Sequence, residues 1–333
     1  MLNKRFMYDV ITVGSSTIDV FAKVESELIK IKTAHEEEEL IAYPAGSKLL
    51  IKDLDFLTGG GGTNTAVSLA RLGLKVAYLG KTGHGSNSGL ILKKLKAEKV
   101  NFIGIRSKKH HAGYSIILDS LEGDRTILAY KGANNFLDMK DISFSKLKTK
   151  WFYFSSMVGK SFETLKKLAQ YAEGNNIKIA FNPSNYLAEK GHEYLKEVLE
   201  RTTILVLNME EAELIGGKLK TELLIKKLMS FGPKIVVITD GKKGLYTIHK
   251  NNFLYVMANN VKIVETTGAG DAFASTFLAG IIKKKPIEFS LRMGLLNAES
   301  VITKEGAKNG LLTYNTLSKL VKSKPPKIKK KKI

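Results

Sequence analysis

The segment Ile263-Val264-Glu265-Thr266-Thr267-Gly268-Ala269-Gly270-Asp271-Ala272-Phe273 decides the fold class of this chain. An apolar run, Val261 to Val264, leads into it, and apolar residues spaced four apart, Phe273, Phe277 and Ile281, follow it. This pattern predicts a strand, a tight glycine turn and a helix. The first turn of a helix leaves backbone N–H groups unpaired at the positive end of the helix dipole. The segment therefore predicts a site for an anion such as phosphate.

Asp271 is the unusual residue in this segment, because a carboxylate beside a phosphate site repels the phosphate. The role that fits is that of a general base, which accepts a proton from an attacking hydroxyl. A structural alternative exists, since Asp and Gly are also favoured at helix caps and turns.

The composition narrows the class of protein. A chain of 333 residues is long enough for one large α/β domain or two smaller ones. The absence of cysteine from the sequence excludes disulfides and thiolate metal sites. No apolar stretch approaches the length of a membrane span, and residues 1–9 lack a signal-peptide core, so we expect a cytoplasmic protein without membrane contact.

The chain is strongly basic, with 53 Lys and Arg against 32 Asp and Glu and a net charge of +21. Such a balance is typical of nucleic-acid or membrane-surface binding, or of a lysine-rich solvated surface around an anion site. The lysines are spread along predicted helices without interleaved aromatic residues, which favours the second interpretation and no dedicated nucleic-acid partner. Residues 319–333 contain eight lysines and are predicted to form a disordered tail.

Strand and helix patterns alternate along most of the chain. Tyr8 to Gly14 predicts a buried first strand, and regular strand–helix alternation follows from Lys150 onward. Such alternation is typical of a parallel sheet with helices on both faces. Ligands of these sheets bind beyond the carboxyl ends of the strands, where Asn208, Glu211 and the turn from Thr239 to Gly244 are expected.

Two glycine-rich segments resemble the signature motifs of the PfkB/ribokinase family of sugar and nucleoside kinases. The first is Gly59-Gly60-Gly61-Gly62-Thr63-Asn64 with the helix that follows it, and the second is the segment from Glu265 to Phe273. The resemblance covers residues 8 to about 315. The chain departs from the family where Glu265 replaces Asp and where Gly61 stands in a position that often carries Lys in ribokinases.

The resemblance implies a ribokinase-like, doubly wound, mostly parallel sheet flanked by helices. It also implies one kinase domain over residues 1–315, with a small β-sheet lid formed by strands at about 15–25 and 112–130. Closure of such a lid excludes water, which competes with the acceptor for the phosphoryl group. In this family an exposed lid sheet often pairs with its twin, which implies a homodimer through the lid.

The resemblance also implies the functional residues. Those expected to act in catalysis are the base and the amides of the anion hole: Asp271, Gly268, Ala269 and Gly270. Those expected to hold the acceptor are Asp19, Gly59, Gly60 and Asn64. Those expected to hold ATP are Asn208, Thr239, Gly241, Gly244 and Asn297. Asn208 and Glu211 are expected to order Mg²⁺, directly or through water, and Glu265 and Thr267 a monovalent cation such as K⁺.

The implied activity is transfer of the γ-phosphoryl group of ATP to a hydroxyl of a sugar or a similar small molecule. Ribokinases carry a sugar-binding Glu near the position of residues 155–157 and often a Lys at position 61. This chain has neither residue, which counts against ribose as the acceptor. A nucleoside kinase and a sugar-phosphate kinase stay open, the latter with Arg125 or Lys131 as an anion-binding group. The alternative from another class is a non-catalytic protein that binds RNA or another polyanion on a kinase fold.

Overall fold

The computed structural model describes residues 7–24, 27–32, 37–119 and 125–333. Its strands in chain order are β1 (Val10–Val13), β2 (Thr17–Val24), β3 (Glu27–Lys32), β4 (Glu37–Ala42), β5 (Ile51–Gly59), β6 (Val76–Leu79), β7 (Lys81–His84), β8 (Asn101–Phe102), β9 (Ile105–His111), β10 (Gly113–Asp119), β11 (Arg125–Tyr130), β12 (Trp151–Ser155), β13 (Lys178–Asn182), β14 (Ile204–Asn208), β15 (Ile235–Thr239), β16 (Leu245–His249), β17 (Asn252–Val256) and β18 (Ile328–Lys332).

The central sheet confirms the predicted mostly parallel architecture. In the described part of the chain it runs β8-β6-β1-β12-β13-β14-β15-β16-β17-β18. The strands from β8 to β15 are parallel, and the last three are antiparallel. The order of the strands reverses between β1 and β12, and open α/β sheets bind ligands in the crevice at such a reversal.

Helices cover both faces of this sheet. Residues alternate along β1, so that Val10 packs into one core and Ile11 into the other. The helices are α1 (Gly61–Arg71), α2 (Ser86–Ala97), α3 (Lys160–Gly174), α4 (Asn185–Ala188), α5 (Gly191–Leu199), α6 (Met209–Gly216), α7 (Thr221–Ser230), α8 (Ala269–Ile282), α9 (Ile287–Val301) and α10 (Tyr314–Ser323). The cores are formed against α1, α2, α8 and α9 on one face and against α3, α5 and α7 on the other, which is the doubly wound arrangement.

A separate four-stranded sheet, in the order β11-β10-β2-β5, forms the lid. In β2, Asp19 lies opposite Ser115 of β10 and Leu57 of β5. The sequence did not predict that β5 belongs to this sheet. The sequence Leu121-Glu122-Gly123-Asp124 predicts a hairpin turn, and these residues lie outside the described part of the chain.

Two predictions about local structure were wrong. The lysine-rich end is not a disordered tail, because α10 extends to Ser323 and β18 pairs with β17 at the edge of the central sheet. Lys330 and Lys331 there form ion pairs with Glu288 and Glu222 at 2.8 and 3.1 Å. These carboxylates offset the repulsion between the lysines of β18. The edge of β17 provides the backbone partners with which β18 pairs.

The run from Val261 to Val264 is not a strand in the structure. The N–H of Val264 donates to the carbonyl of Ile302 at 2.8 Å, and both Ile263 and Val264 are exposed. The segment therefore borders a cavity instead of joining the sheet.

Among the helices in the described ranges, none combines the length and the apolar character that crossing a bilayer requires.

Candidate active site

Two cavities meet at the beginning of α8, beyond the carboxyl ends of the parallel strands. They measure about 350 and 510 Å³, within the range of ~300–1,000 Å³ typical of small-molecule sites. Gly270 and Thr239 line both cavities. A ligand in one cavity can therefore reach a ligand in the other beside the first turn of α8.

Asp271 lines the first cavity from the first turn of α8. Gly268 caps this helix at φ +82°, and an added Cβ there would lie 2.4 Å from the Cβ of Ala307. Only glycine fits this conformation and this close contact. The turn therefore presents its backbone amides and the Asp271 carboxylate to the same space.

The side-chain amide of Asn64 in α1 holds one oxygen of Asp271. Its Nδ2 donates to Oδ2 of Asp271 at 2.8 Å. Ser275 of α8 also donates to Ser68 of α1, at 2.7 Å, so the two helices are joined by two polar contacts. Burial raises the pKa of Asp271, whereas the Asn64 hydrogen bond and the charge of Lys308 lower it. The net direction is upward, which makes the carboxylate a better proton acceptor than an exposed one.

Asp19 lies in β2 of the lid and is buried. Its Oδ1 accepts a hydrogen bond from Thr17 at 2.7 Å, and burial raises its pKa against hydrogen bonds from Thr17 and Ser115. A Cβ at Gly59 would lie 1.7 Å from Oδ2 of Asp19. Gly59 is thus the residue that allows Asp19 to take this position.

The glycines that follow allow α1 to approach β1 and β12. Gly60 has φ +90°, and a Cβ there would lie 2.7 Å from the carbonyl oxygen of Ser15. A Cβ at Gly61 would lie 2.3 Å from Oγ of Ser155 and 3.3 Å from Oδ1 of Asp271. Any residue larger than glycine at position 61 would collide with the Ser155 hydroxyl in its present orientation.

Asn208 and Glu211 line the first cavity at the start of α6. Each holds the other's backbone: Asn208 N–H donates to Oε2 of Glu211 at 2.9 Å, and Glu211 N–H donates to Oδ1 of Asn208 at 2.7 Å. This reciprocal capping box fixes an amide and a carboxylate in the cavity wall. Burial is the largest cause that raises the pKa of Glu211 to about 7.

The second cavity holds most of the residues predicted to bind ATP. It is lined by Thr239, Gly241, Gly244, Ala269 and Gly270, and its apolar wall includes Leu245, Phe273 and Ile302. An apolar slot that ends at a row of glycine amides has the character that a base and its phosphates require.

Asn297 is not among the residues that line this cavity, and its role in nucleotide binding stays a prediction. It is completely buried, its Nδ2 donates to Thr276 at 2.7 Å, and its Oδ1 accepts from the N–H of Leu312 at 2.9 Å. The neighbouring Ala298 and Glu299 line the cavity instead. The helical face that carries Asn297 is turned into the core.

Glu265 and Thr267 lie together below the turn. Oε1 of Glu265 accepts from the N–H of Thr267 at 2.7 Å, and Oε2 accepts from the N–H of Gly306 at 3.3 Å. Glu265 thereby joins the turn before α8 to the turn that precedes Ala307. The requirement for a monovalent cation stays a prediction.

Comparison with known proteins identifies the family. Residues 7–313 match the pfkB family of carbohydrate kinases. The chain belongs to this family. It is a carbohydrate kinase, and thus a phosphotransferase.

The relatives of this kinase act on different acceptors. It is 28% identical over 284 residues to a ribokinase of Bacillus subtilis, an alignment covering 83% of this chain and 92% of the relative. It is 25% identical to an ATP-dependent 6-phosphofructokinase of Thermoanaerobacterium thermosaccharolyticum, covering 86% and 85%. Its fold matches a putative ribokinase II of E. coli in complex with ATP and Mg²⁺, with a TM-score of 0.81, 18% identity and coverage of 95% and 99%.

The sequence did not predict that Lys308 belongs to this site. Lys308 is buried, and its Nζ donates to the carbonyl of Thr58 at 2.6 Å and to Oδ1 of Asn64. The sequence offered one signal, because Lys308 directly follows the Gly306-Ala307 turn. Its burial beneath α1 depends on chain segments that are 244 residues apart.

We expect Gly59→Ala to lower the free energy of unfolding by about 1–3 kcal/mol, because the new methyl group would overlap with the Asp19 carboxylate. Urea denaturation measures this change. In an Asp19→Ala background the cost of Gly59→Ala should fall. Gly89→Ala, in open space on α2, is the matched control and should be neutral or stabilising. An equal cost in both backgrounds would contradict the close contact.

Proposed function

We propose that this kinase transfers the γ-phosphoryl group of ATP to a hydroxyl of a small acceptor, with Asp271 as the general base. One observation carries the proposal: Asp271 and the glycine turn before α8 stand where the two cavities meet. The acceptor occupies the first cavity, and ATP occupies the second. The γ-phosphoryl group then lies beside Gly270, which both cavities share.

The proposed step is an in-line displacement. The acceptor hydroxyl gives its proton to Oδ1 of Asp271, its oxygen forms the new bond to phosphorus, and the bond to the ADP oxygen breaks. The N–H groups of Gly268, Ala269 and Gly270 stabilise the charge on the phosphoryl oxygens in transit. Asn64 occupies Oδ2 of Asp271, which supports Oδ1 as the proton acceptor.

Acceptor binding is assigned to the residues around the lid. Asp19 accepts hydrogen bonds from acceptor hydroxyls, and Asn64 holds Oδ2 of the base. Gly59 supplies the space that Asp19 needs, and Gly60 allows the chain to pass close to the backbone of Ser15. Positioning of this kind provides much of the catalysis in phosphoryl transfer.

Mg²⁺ fits beside Asn208 and Glu211 through water. Their side-chain oxygens already accept from the capping box, and Mg²⁺ prefers oxygen ligands while it keeps several waters. When bound, Mg²⁺ neutralises charge on the leaving diphosphate. Both oxygens of Glu265 accept backbone N–H groups, so we derive no step through a monovalent cation.

We expect Asp271→Asn to reduce turnover at least ~100-fold, because removal of a general base typically costs ~10²–10⁴. ATP affinity should stay within about threefold of the wild type, since Asp271 lines only the first cavity. Steady-state ADP release measures turnover, and calorimetry measures ATP binding. Near-normal turnover would end the assignment of Asp271 as the base.

Lys131 favours an acceptor that carries an acidic group, such as a sugar phosphate or a sugar acid. It lines the first cavity together with Asp271, and its ammonium lies 4.2 Å from the centre of the Tyr186 ring. Burial lowers its pKa, and no carboxylate among the described residues offsets this effect. A buried lysine of this kind is stabilised in its charged form when an anionic ligand binds beside it. The side chain of Arg125, the other predicted anion-binding group, lies outside the described residues.

An ADP-release screen over neutral sugars, sugar acids, sugar phosphates and nucleosides tests this assignment. We expect acidic acceptors to have the highest kcat/KM, and Lys131→Met to lower it about 10–100-fold, the loss of one charged hydrogen bond. Lys167→Met, an exposed lysine on α3, is the control. Highest activity on an uncharged sugar or nucleoside would overturn the acidic acceptor while leaving the kinase assignment intact.

The exposed face of the lid supports a homodimer. Large apolar side chains are at least 44% exposed there: Leu54, Phe56, Leu128 and Tyr130. Apolar patches on a surface are typical of interfaces.

Two expectations from the sequence stay predictions: a cytoplasmic location, and the absence of a dedicated nucleic-acid partner. Salt-sensitive RNA binding without acceptor-dependent turnover would favour the polyanion-binding alternative.

We expect the wild-type chain to sediment as a dimer and Phe56→Asp to sediment as a monomer, because a charge in an apolar interface is left unpaired. Analytical ultracentrifugation at micromolar concentration measures both. Leu90→Asp, an equally exposed apolar residue on α2, is the control that should stay dimeric. A monomeric wild type would contradict the proposed dimer.

A further inference from the structure

Lys308 is a buried amine in a part of the site that the proposed chemistry does not use. It is 4% exposed, and its Nζ donates to the carbonyl of Thr58 and to Oδ1 of Asn64. Burial of an amine without water costs several kcal/mol unless its hydrogens find acceptors. Both acceptors here come from the two ends of the glycine-rich segment that begins α1.

Asn64 connects this lysine to the base. Its Oδ1 accepts from Lys308, and its Nδ2 donates to Oδ2 of Asp271 at 2.8 Å. A flipped amide would set its NH₂ against the amine and its oxygen against the carboxylate, which removes both hydrogen bonds. Lys308 therefore fixes which end of the Asn64 amide faces Asp271.

The loop that carries Lys308 is itself held on both sides. Arg71 of α1 donates to the Lys308 carbonyl at 2.8 Å and forms a two-point contact with Glu98. Ala307 packs against Gly268 at the cap of α8. The position of Nζ is thus set by the same two helices that carry Asn64 and Asp271.

The charge of Lys308 also acts on the two carboxylates of the site. It lowers the pKa of both Asp271 and Asp19, against the larger effect of burial. Burial in turn is the main cause that lowers the pKa of Lys308 to about 7, and both carboxylates oppose this change. Among the groups that face Lys308, Glu98 favours its charged form and Lys94 disfavours it.

We propose that Lys308 is the positioning residue of the base: through Asn64 it orients the amide that occupies Oδ2 of Asp271 and leaves Oδ1 for the acceptor proton. The inference rests on the proposed role of Asp271. It adds a residue that touches neither substrate and acts through Asn64.

The test is Lys308→Met, which keeps the length of the side chain and removes both donors and charge. Lys304→Met, an exposed lysine four residues away, is the control. We expect kcat to fall about 10–100-fold with ATP affinity unchanged, and the acidic limb of the kcat/KM profile to move roughly 1 pH unit upward, because the Asp271 carboxylate loses a neighbouring cation. Unchanged kcat and pH profile in a folded variant would overturn the inference.

A second pair of variants separates positioning from folding. If Lys308→Met does not fold, Lys308→Gln retains a donor without the charge and is expected to show the pH shift with a smaller loss of kcat. In an Asn64→Ala background, substitution of Lys308 should change kcat less than threefold, since its effect passes through Asn64. Independent, multiplicative losses would refute the connection.

These outcomes are distinct from failure of the proposed function. A normal kcat for Asp271→Asn would remove Asp271 as the base and the inference with it. An inactive Asp271→Asn protein beside a normal Lys308→Met protein would remove only the positioning role of Lys308.

Discussion

The site depends on a helix start that brings backbone amides and a carboxylate to the same space. Amides at the start of a helix favour an anion, and the Asp271 carboxylate lies in the first turn of α8. Asn64 of α1 donates to one oxygen of Asp271 and accepts from Lys308 behind it, so the carboxylate is held in place from α1. A second polar contact, from Ser275 to Ser68, joins α8 to α1.

Glycine residues allow the close approaches that this arrangement requires. Gly59 leaves room for Asp19, Gly61 for Ser155, and Gly268 for Ala307. In each pair the neighbour comes from a distant part of the chain, so the glycine-rich segments are contact surfaces as well as turns.

Two differences between the expected and the observed positions share a physical cause, which is that composition and spacing do not specify neighbours. The lysines of β18 predicted disorder, yet β17 offers an unpaired edge and Glu222 and Glu288 offer opposite charge. Asn297 lies one residue from Ala298, which lines the second cavity, but the turn of α9 directs it to Thr276 in the core. A position along a helix fixes which face a side chain occupies only when the orientation of the helix is known.

The sequence by itself determined the class of fold, the family and the segments that build the site, because strand and helix periodicity and glycine turns are local properties. Asp271, Asn64, Asp19, Asn208 and Thr239 could all be selected from motifs of this kind. Only the tertiary structure decided that Lys308 lies behind Asn64, that Lys131 shares a cavity with Asp271, and that β18 pairs with β17 at the edge of the sheet. These facts depend on burial and on contacts between residues far apart in sequence. Burial is also the main cause that lowers the pKa of Lys308 to about 7.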